Sequence, residues 1–428
     1  MSYLRVFGIC VIALTLIKCA ANKIDDTVDR ELNILLEQKQ YFELDRKLTK
    51  NANKLSDHRR IFYNAFIEKA FGRNSSSINY IDIILNRHKG SFNDSLVVEL
   101  LNLKAANYIH EYNYSKASET YRKILKEYPT LLDSTEINEY TNVERLFGAF
   151  ADVEPMIKQP HLTVKINAYR NNFNHLMTPV QSNNISEHFV FDTGANLSTI
   201  SESMAKKMNL TIIEKNINVG SSTNLYVNSK LAVAENFYVG DILFNNVLFL
   251  VMPDTQLTFP DINYEIKGII GFPVIEALGE MHLHKNGNIT VPDKPNKSKL
   301  KNMVLEGLNP VVELFSGNES LLFTLDTGAK NSELSFKYYR NHKDVIETTG
   351  RLIKNKRGGA GGMTNVEEYL FPNFQLIIGT KKALLEEVHV TLEEYEFTKY
   401  FDGNLGQDVF VKFDTLILNF KDMYIDLN

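Results

Sequence analysis

The sequence predicts a multidomain α + β chain: an N-terminal array of helical hairpins followed by an all-β part built as two duplicated lobes. Three observations carry this expectation. Residues 24 to about 150 are almost free of Gly and Pro and repeat apolar residues three and four apart. From about residue 158, Gly and Pro punctuate short segments that alternate apolar with polar or run continuously apolar. Within that second part a short pattern occurs twice, its two acidic positions 134 residues apart.

The N-terminal segment comes first. Arg5 precedes the apolar run Val6–Ile17, and Lys18, Cys19, Ala20 and Ala21 follow. The run is too short to span a bilayer as an ordinary helix, and charge, short apolar core and small residues together read as an export signal. Leu16-Ile17-Lys18-Cys19 resembles a bacterial lipoprotein box with Cys19 as the lipidated residue, although Lys18 stands where a small residue is expected. Cleavage after Ala21 is the competing reading. The boundaries expected are 1–21 for the signal, 22–155 for the helical domain, and 160–296 and 297–428 for the two lobes. The chain is then an exported protein, periplasmic or held at an outer membrane or cell surface as a lipoprotein, with a lipid anchor as a possible membrane partner.

Composition narrows the chemistry. The 428 residues are 44% hydrophobic and 23% charged, the balance of a globular protein of two or three domains. The formal charge of −5, or −7 once Arg5 and Lys18 leave with the signal, argues against nucleic acid as a partner. Cys10 and Cys19 are the only cysteines, so the body has no disulfide framework, Cys-ligated zinc, iron–sulfur cluster or thiol nucleophile.

In the helical part, Leu32, Leu35 and Leu36 and later Leu96, Leu100 and Leu103 keep the amphipathic period. Phe62, Tyr63, Phe66 and Phe71 at helical spacing read as core. The segment from Ala105 to Pro129 places small residues where helices would touch, aromatics at a crossing and Pro after the second helix. It resembles a tetratricopeptide-type hairpin, which implies either a groove for a protein partner or a spacer. Asp133 or Ser134 caps a last helix, Asp133 with Glu136 three residues on as a capping box. Beyond Pro160, Leu162-Thr-Val164-Lys-Ile166 alternates as a half-buried strand, and Val247–Val251 reads as a buried one.

The repeated pattern carries the functional signal. Phe-Val-Phe-Asp192-Thr193-Gly194-Ala195-Asn-Leu-Ser198 is matched by Phe-Thr-Leu-Asp326-Thr327-Gly328-Ala329-Lys-Asn-Ser332. Downstream, Gly268-Ile269-Ile270-Gly271 is matched by Gly403-Asn404-Leu405-Gly406 at an offset of 135. Two carboxylates held close together cannot easily both ionise, so one keeps a proton while the other acts as a base. The glycine after Asp-Thr lets two loops approach.

These residues resemble the retropepsin-like aspartic peptidases, here as a fused, pseudo-dimeric form in which both half-sites share one chain. Asn404 departs from the hydrophobic-hydrophobic-Gly pattern of that family. The resemblance implies a two-lobed, retropepsin- or pepsin-like fold over roughly residues 160–428. It implies Asp192 and Asp326 as the catalytic pair and Thr193 and Thr327 interlocked through hydroxyl–backbone bonds. It further implies that Ser198 and Ser332 bond the outer carboxylate oxygens. Flap candidates are the hairpin-like stretch with Gly220, Ser221 and Tyr226 and the glycine cluster Gly358, Gly359, Gly361 and Gly362. Lys354, Lys356 and Arg357 read as a solvated charge run.

The expected activity is endopeptidase hydrolysis of a peptide or protein substrate by water between Asp192 and Asp326, in a monomer whose pseudo-dimer is internal. The alternatives are a non-catalytic peptide-binding or scaffold lipoprotein, or lobes that pair between copies. Cofactors: none. Metal: none, since His282-Leu-His284 puts two imidazoles on one strand face without a third ligand nearby. Ala195 and Ala329 stand where digestive relatives carry a hydroxyl, which would raise the carboxyl pKa values and move activity away from strong acid.

Overall fold

A computed structural model describes residues 25–220, 226–359, 362–395 and 399–428. The signal segment with Cys19 and the flap candidates Ser221 and Gly361 lie outside the described residues. Among the described residues, no helix is long and apolar enough to cross a membrane.

Seven α-helices come first among the described residues: α1 (Asp26–Glu37), α2 (Tyr41–Asn51), α3 (Asp57–Ala70), α4 (Asn74–Ile83), α5 (Asp94–His110), α6 (Tyr114–Glu127) and α7 (Ser134–Gly148). Leu32, Leu36 and Leu100 are buried, as are Phe62, Tyr63, Phe66 and Phe71. Asp133 caps α7, its carboxylate accepting the Glu136 N–H at 2.9 Å while Glu136 returns to the Asp133 N–H at 3.0 Å.

The pairs α1–α2, α3–α4 and α5–α6 turn on one bonding pattern. The N–H groups of Gln40, Arg73 and Asn113 donate back to the carbonyls of Leu35, Glu68 and Tyr108 at 2.9, 2.8 and 2.8 Å. The residues just before them, Lys39, Gly72 and Tyr112, have φ of 57°, 70° and 56°. This is a Schellman-type helix end. Only the α3–α4 turn carries the glycine that such an end favours, whereas the hairpin read from Ala105–Pro129 turns at Tyr112.

The β-rich part begins at Ile157–Lys158, which pairs with Asn245 and Phe244. A nine-stranded sheet follows. In it, the strand Gly268–Ile270 runs parallel to Ile185–Phe191 and antiparallel to Ser198–Ser201. The second sheet has eight strands, and there Gly403–Leu405 runs parallel to Glu319–Leu325 and antiparallel to Glu333–Leu334. A short helix follows each interleaved strand, Phe272–Leu278 and Gln407–Phe410. A five-stranded sheet joins the two parts, with Glu280–His284 paired to Thr415–Asn419 at its centre. Val164–Ile166 is its edge strand, while Leu162 stays 83% exposed. Val247–Val251 lies within the strand Ile242–Met252 and is buried.

The helices are docked on this β part, not held away from it. Tyr114 stacks on Phe147 at 5.5 Å, and with Phe150 they share a core with Leu231, Leu248 and Leu250 of the first sheet and with Leu197 in the loop before Ser198. Arg46 grips Glu313 with two nitrogens at 2.9 and 3.2 Å. His110 Nδ1 meets Glu276 at 3.1 Å, and its Nε2 meets the Gly307 carbonyl at 2.7 Å. Burial alone would raise the Glu276 carboxyl, but the facing His110 and Lys69 hold it below the usual range. Lys69 is itself buried, which pushes its amine down to about 8.

Removing one partner of a buried hydrogen-bonded pair strands the other. His110→Ala is expected to lower the unfolding free energy at pH 7 by about 2–4 kcal/mol, read by chemical denaturation. Because Glu276 is depressed in the fold, its contribution is present above the ordinary glutamate range and lost as pH falls below it. The penalty of the variant should therefore shrink as pH drops below about 4.

Candidate active site

Each acidic residue of the repeat ends a buried strand. Phe189, Val190 and Phe191 lead into Asp192, and Leu321, Leu322, Phe323, Thr324 and Leu325 into Asp326. The Asp192 N–H donates to the Ile270 carbonyl at 3.1 Å, and the Asp326 N–H to that of Leu405 at 3.0 Å. The Gly271 and Gly406 segments thus brace the two loops from behind.

Thr193 and Thr327 are 0% and 1% exposed. The Thr193 N–H donates to Thr327 Oγ1 at 3.0 Å, and the Thr327 N–H to Thr193 Oγ1 at 3.0 Å. The Thr193 hydroxyl donates to the Leu325 carbonyl at 2.7 Å, and the Thr327 hydroxyl to the Phe191 carbonyl at 3.0 Å. Each hydroxyl accepts one bond and donates one, all four across the junction of the two sheets. Satisfied polar groups in a buried setting hold geometry firmly.

That junction puts the carboxyls together. A Cβ on Gly194 would lie 2.8 Å from Asp326 Cγ, and one on Gly328 would overlap the Asp192 carboxyl. Only glycine admits this approach at both positions. Asp192 Oδ1 accepts the Gly194 N–H at 2.8 Å, and Asp326 Oδ1 accepts those of Gly328 and Ala329 at 2.8 and 2.9 Å. Burial, the Asp326 charge and a hydrogen bond between the two carboxyls raise Asp192 well above the usual aspartate range, against the opposing Gly194 and Ala195 amides. A coupled pair of this kind can hold one proton and one negative charge, an acid and a base side by side.

Ser198 and Ser332 differ from the expectation. Their hydroxyls do not bond the outer carboxylate oxygens. Ser198 Oγ accepts the Gly271 N–H at 3.0 Å, and Ser332 Oγ accepts the Gly406 N–H at 2.9 Å while donating to Asp408 at 2.6 Å. Each serine oxygen thus takes the glycine amide behind its loop and locks the bracing segment. Arg357 also departs from its reading as a solvated charge. It reaches Glu333 at 2.5 Å and approaches Glu368 at 3.8 Å. Glu368 accepts from Asn355 at 2.7 Å and meets His389 Nδ1 at 2.6 Å.

Gly220 and Tyr226 form the last described pair of one hairpin, and Gly359 and Gly362 that of the other, with Gly358 paired to Met363. Among the described residues no hydrogen bond joins either hairpin to Asp192 or Asp326. His282 pairs with Glu280 at 2.7 Å, and His284 with Thr290 at 2.9 Å, each drawn to a strand neighbour. Sequence reasoning missed Asn404 as a partner of Asp326 and Gln407, whose Nε2 donates to the Thr327 carbonyl at 2.6 Å. The signal was the mismatch between the repeats: Asn404 replaces Ile269, and Gln407 replaces Phe272.

Residues 178–274 match the family model described as aspartyl protease, a stretch that includes Asp192 and its bracing segment. A comparison with curated proteins found no match. The family match supports a protease-like function, a peptidase hydrolase acting on peptide or protein.

Thr327→Val keeps the shape but strands the Thr193 N–H and the Phe191 carbonyl. It should lower stability by about 1–3 kcal/mol, with Thr327→Ser close to wild type, as read by thermal unfolding.

Proposed function

We propose that the chain is an aspartic endopeptidase of the fused, two-lobed retropepsin-like type. Asp192 and Asp326, one from each lobe, share a proton and hold the attacking water between them. The ionised carboxylate takes a proton from the water as its oxygen bonds to the peptide carbon. The protonated carboxyl gives its proton to the carbonyl oxygen, forming a neutral tetrahedral diol. The carboxyl that took the proton of the water then passes it to the amide nitrogen, a hydroxyl of the diol returns its proton to the other carboxylate, the C–N bond breaks, and acid and amine leave. No covalent intermediate is required.

The observation that carries this reading is the close approach of the two carboxyls at the Thr193–Thr327 junction, each packed against the glycine of the other's loop. The substrate would lie extended along strand edges, with the two hairpins as flaps. Under the same reading the helical, tetratricopeptide-like part offers a surface to a protein partner, and the working species is a monomer. Export is proposed from the N-terminal segment, with Cys19 lipidated or Ala21 the last residue removed.

Asp192→Asn and Asp326→Asn are each expected to reduce cleavage of a peptide library by about a thousandfold or more, measured by product mass spectrometry. Peptide bound but uncleaved by the wild type would favour a binding module.

Asp192 carries a second prediction. Its raised pKa in the fold means stability is full at acid pH and is lost as pH rises through the folded value. Asp192→Asn should therefore melt like wild type near pH 3 and at a higher temperature near pH 7. By the same sign, cleavage should persist above the ordinary aspartate range before falling on the alkaline side.

A further inference from the structure

The two halves differ beside the carboxyls. In the first, Val190 and Ile269 are neighbours across the parallel strand pair, apolar and buried. In the second, the matching register holds Thr324 and Asn404. Thr324 is 5% exposed, and its hydroxyl donates to Asn404 Oδ1 at 2.7 Å. That contact turns the amide nitrogen towards the pair, with Nδ2 at 3.5 Å from Asp326 Oδ2. The opposite orientation would set an amide oxygen against a carboxylate, so both contacts favour one arrangement. The main-chain amides at Gly194 and Ala195 and at Gly328 and Ala329 serve the two carboxyls alike. Asn404 is the side-chain donor that separates them.

We propose that Asn404 is a positioning residue that breaks the symmetry of the pair: its amide holds the negative charge at Asp326 Oδ2 and leaves the shared proton on Asp192. The N–H end of the amide dipole stabilises only the charged form of its neighbour. Three titratable groups face Asp326. Asp192 comes from the opposite loop. His175 precedes the strand Leu176–Ser182 and sits at 2.6 Å from the Tyr264 hydroxyl, and burial pushes its imidazole down against the pull of Asp326. Glu333 lies on the strand that pairs with Asn404, and burial raises its carboxyl against the facing Arg357. Neither His175 nor Glu333 supplies a donor to Asp326 Oδ2 among the described residues, and Asn404 does. Resting on the proposed peptidase reading, this makes Asp326 the base that takes the proton of the water and Asp192 the acid.

The test compares full-length wild type, Asn404→Leu and Thr324→Val, each labelled with carbon-13 at the aspartate carboxyls. The resonances are assigned through Asp192→Asn and Asp326→Asn. In wild type, the Asp326 signal should show the ionised form over the pH range in which Asp192 shows the protonated form. In Asn404→Leu the proton should spread over both carboxyls. The acid limb of kcat/KM should also move to higher pH, a loss of about threefold to tenfold on the acid side. Thr324→Val, which frees the amide, should move both readouts the same way by less and serves if Asn404→Leu does not fold. Titrations unchanged in both variants, or a wild-type proton resident on Asp326, overturn the proposal. If the wild type cleaves no peptide, the peptidase reading fails, while the carboxyl titration still decides where the charge lies.

Discussion

Four hydrogen bonds between Thr193 and Thr327 and the strand ends behind them set everything else at the centre of the β-rich part. Two carboxyls repel when both are charged and are costly to bury. Neither would stay near the other without a scaffold that is itself fully satisfied. The buried threonines provide that scaffold because each hydroxyl both donates and accepts, leaving no orphaned polar atom at the junction. The glycines that follow then let each loop reach the carboxyl of the other.

The surroundings of the pair are built to resist relaxation. Ser198 and Ser332 tie the loops to Gly271 and Gly406, and Gln407 ties the Thr327 carbonyl from below. The helix Phe272–Leu278 carries that support outward, since Glu276 near its end is gripped by His110 of α5. Phe272 meets Phe420 edge-on at 5.4 Å, linking the first half to the closing strands of the second. The helical region is thus part of the platform under the candidate site as well as a surface of its own.

Much of this was legible in the sequence. The repeated Asp-Thr-Gly-Ala motif and its downstream Gly segments mark the loops, because those steps need particular residues at particular places. The buried strands and the aromatic helix core followed from periodicity. What was hidden depends on partners far apart in the chain. Ser198 was expected to bond Asp192, and the fold sets its oxygen against the Gly271 N–H. Arg357 of the hairpin meets Glu333 on a separate strand, a contact that charge patterning alone reads as solvent exposure. The turn at Lys39 lacks glycine, so it left no local mark. His110 and Glu276, 166 positions apart, form a buried pair that no motif announces.

The central claim is that Asp192 and Asp326 of one chain act as a single pair. The most direct test mixes purified Asp192→Asn with purified Asp326→Asn and measures peptide cleavage against wild type at equal concentration. With the pair formed inside one chain, the mixture stays as inactive as either variant alone, because no molecule holds both carboxyls. Cleavage restored by mixing would show that the pair is assembled between copies, and full cleavage by either variant alone would show that no such pair is needed.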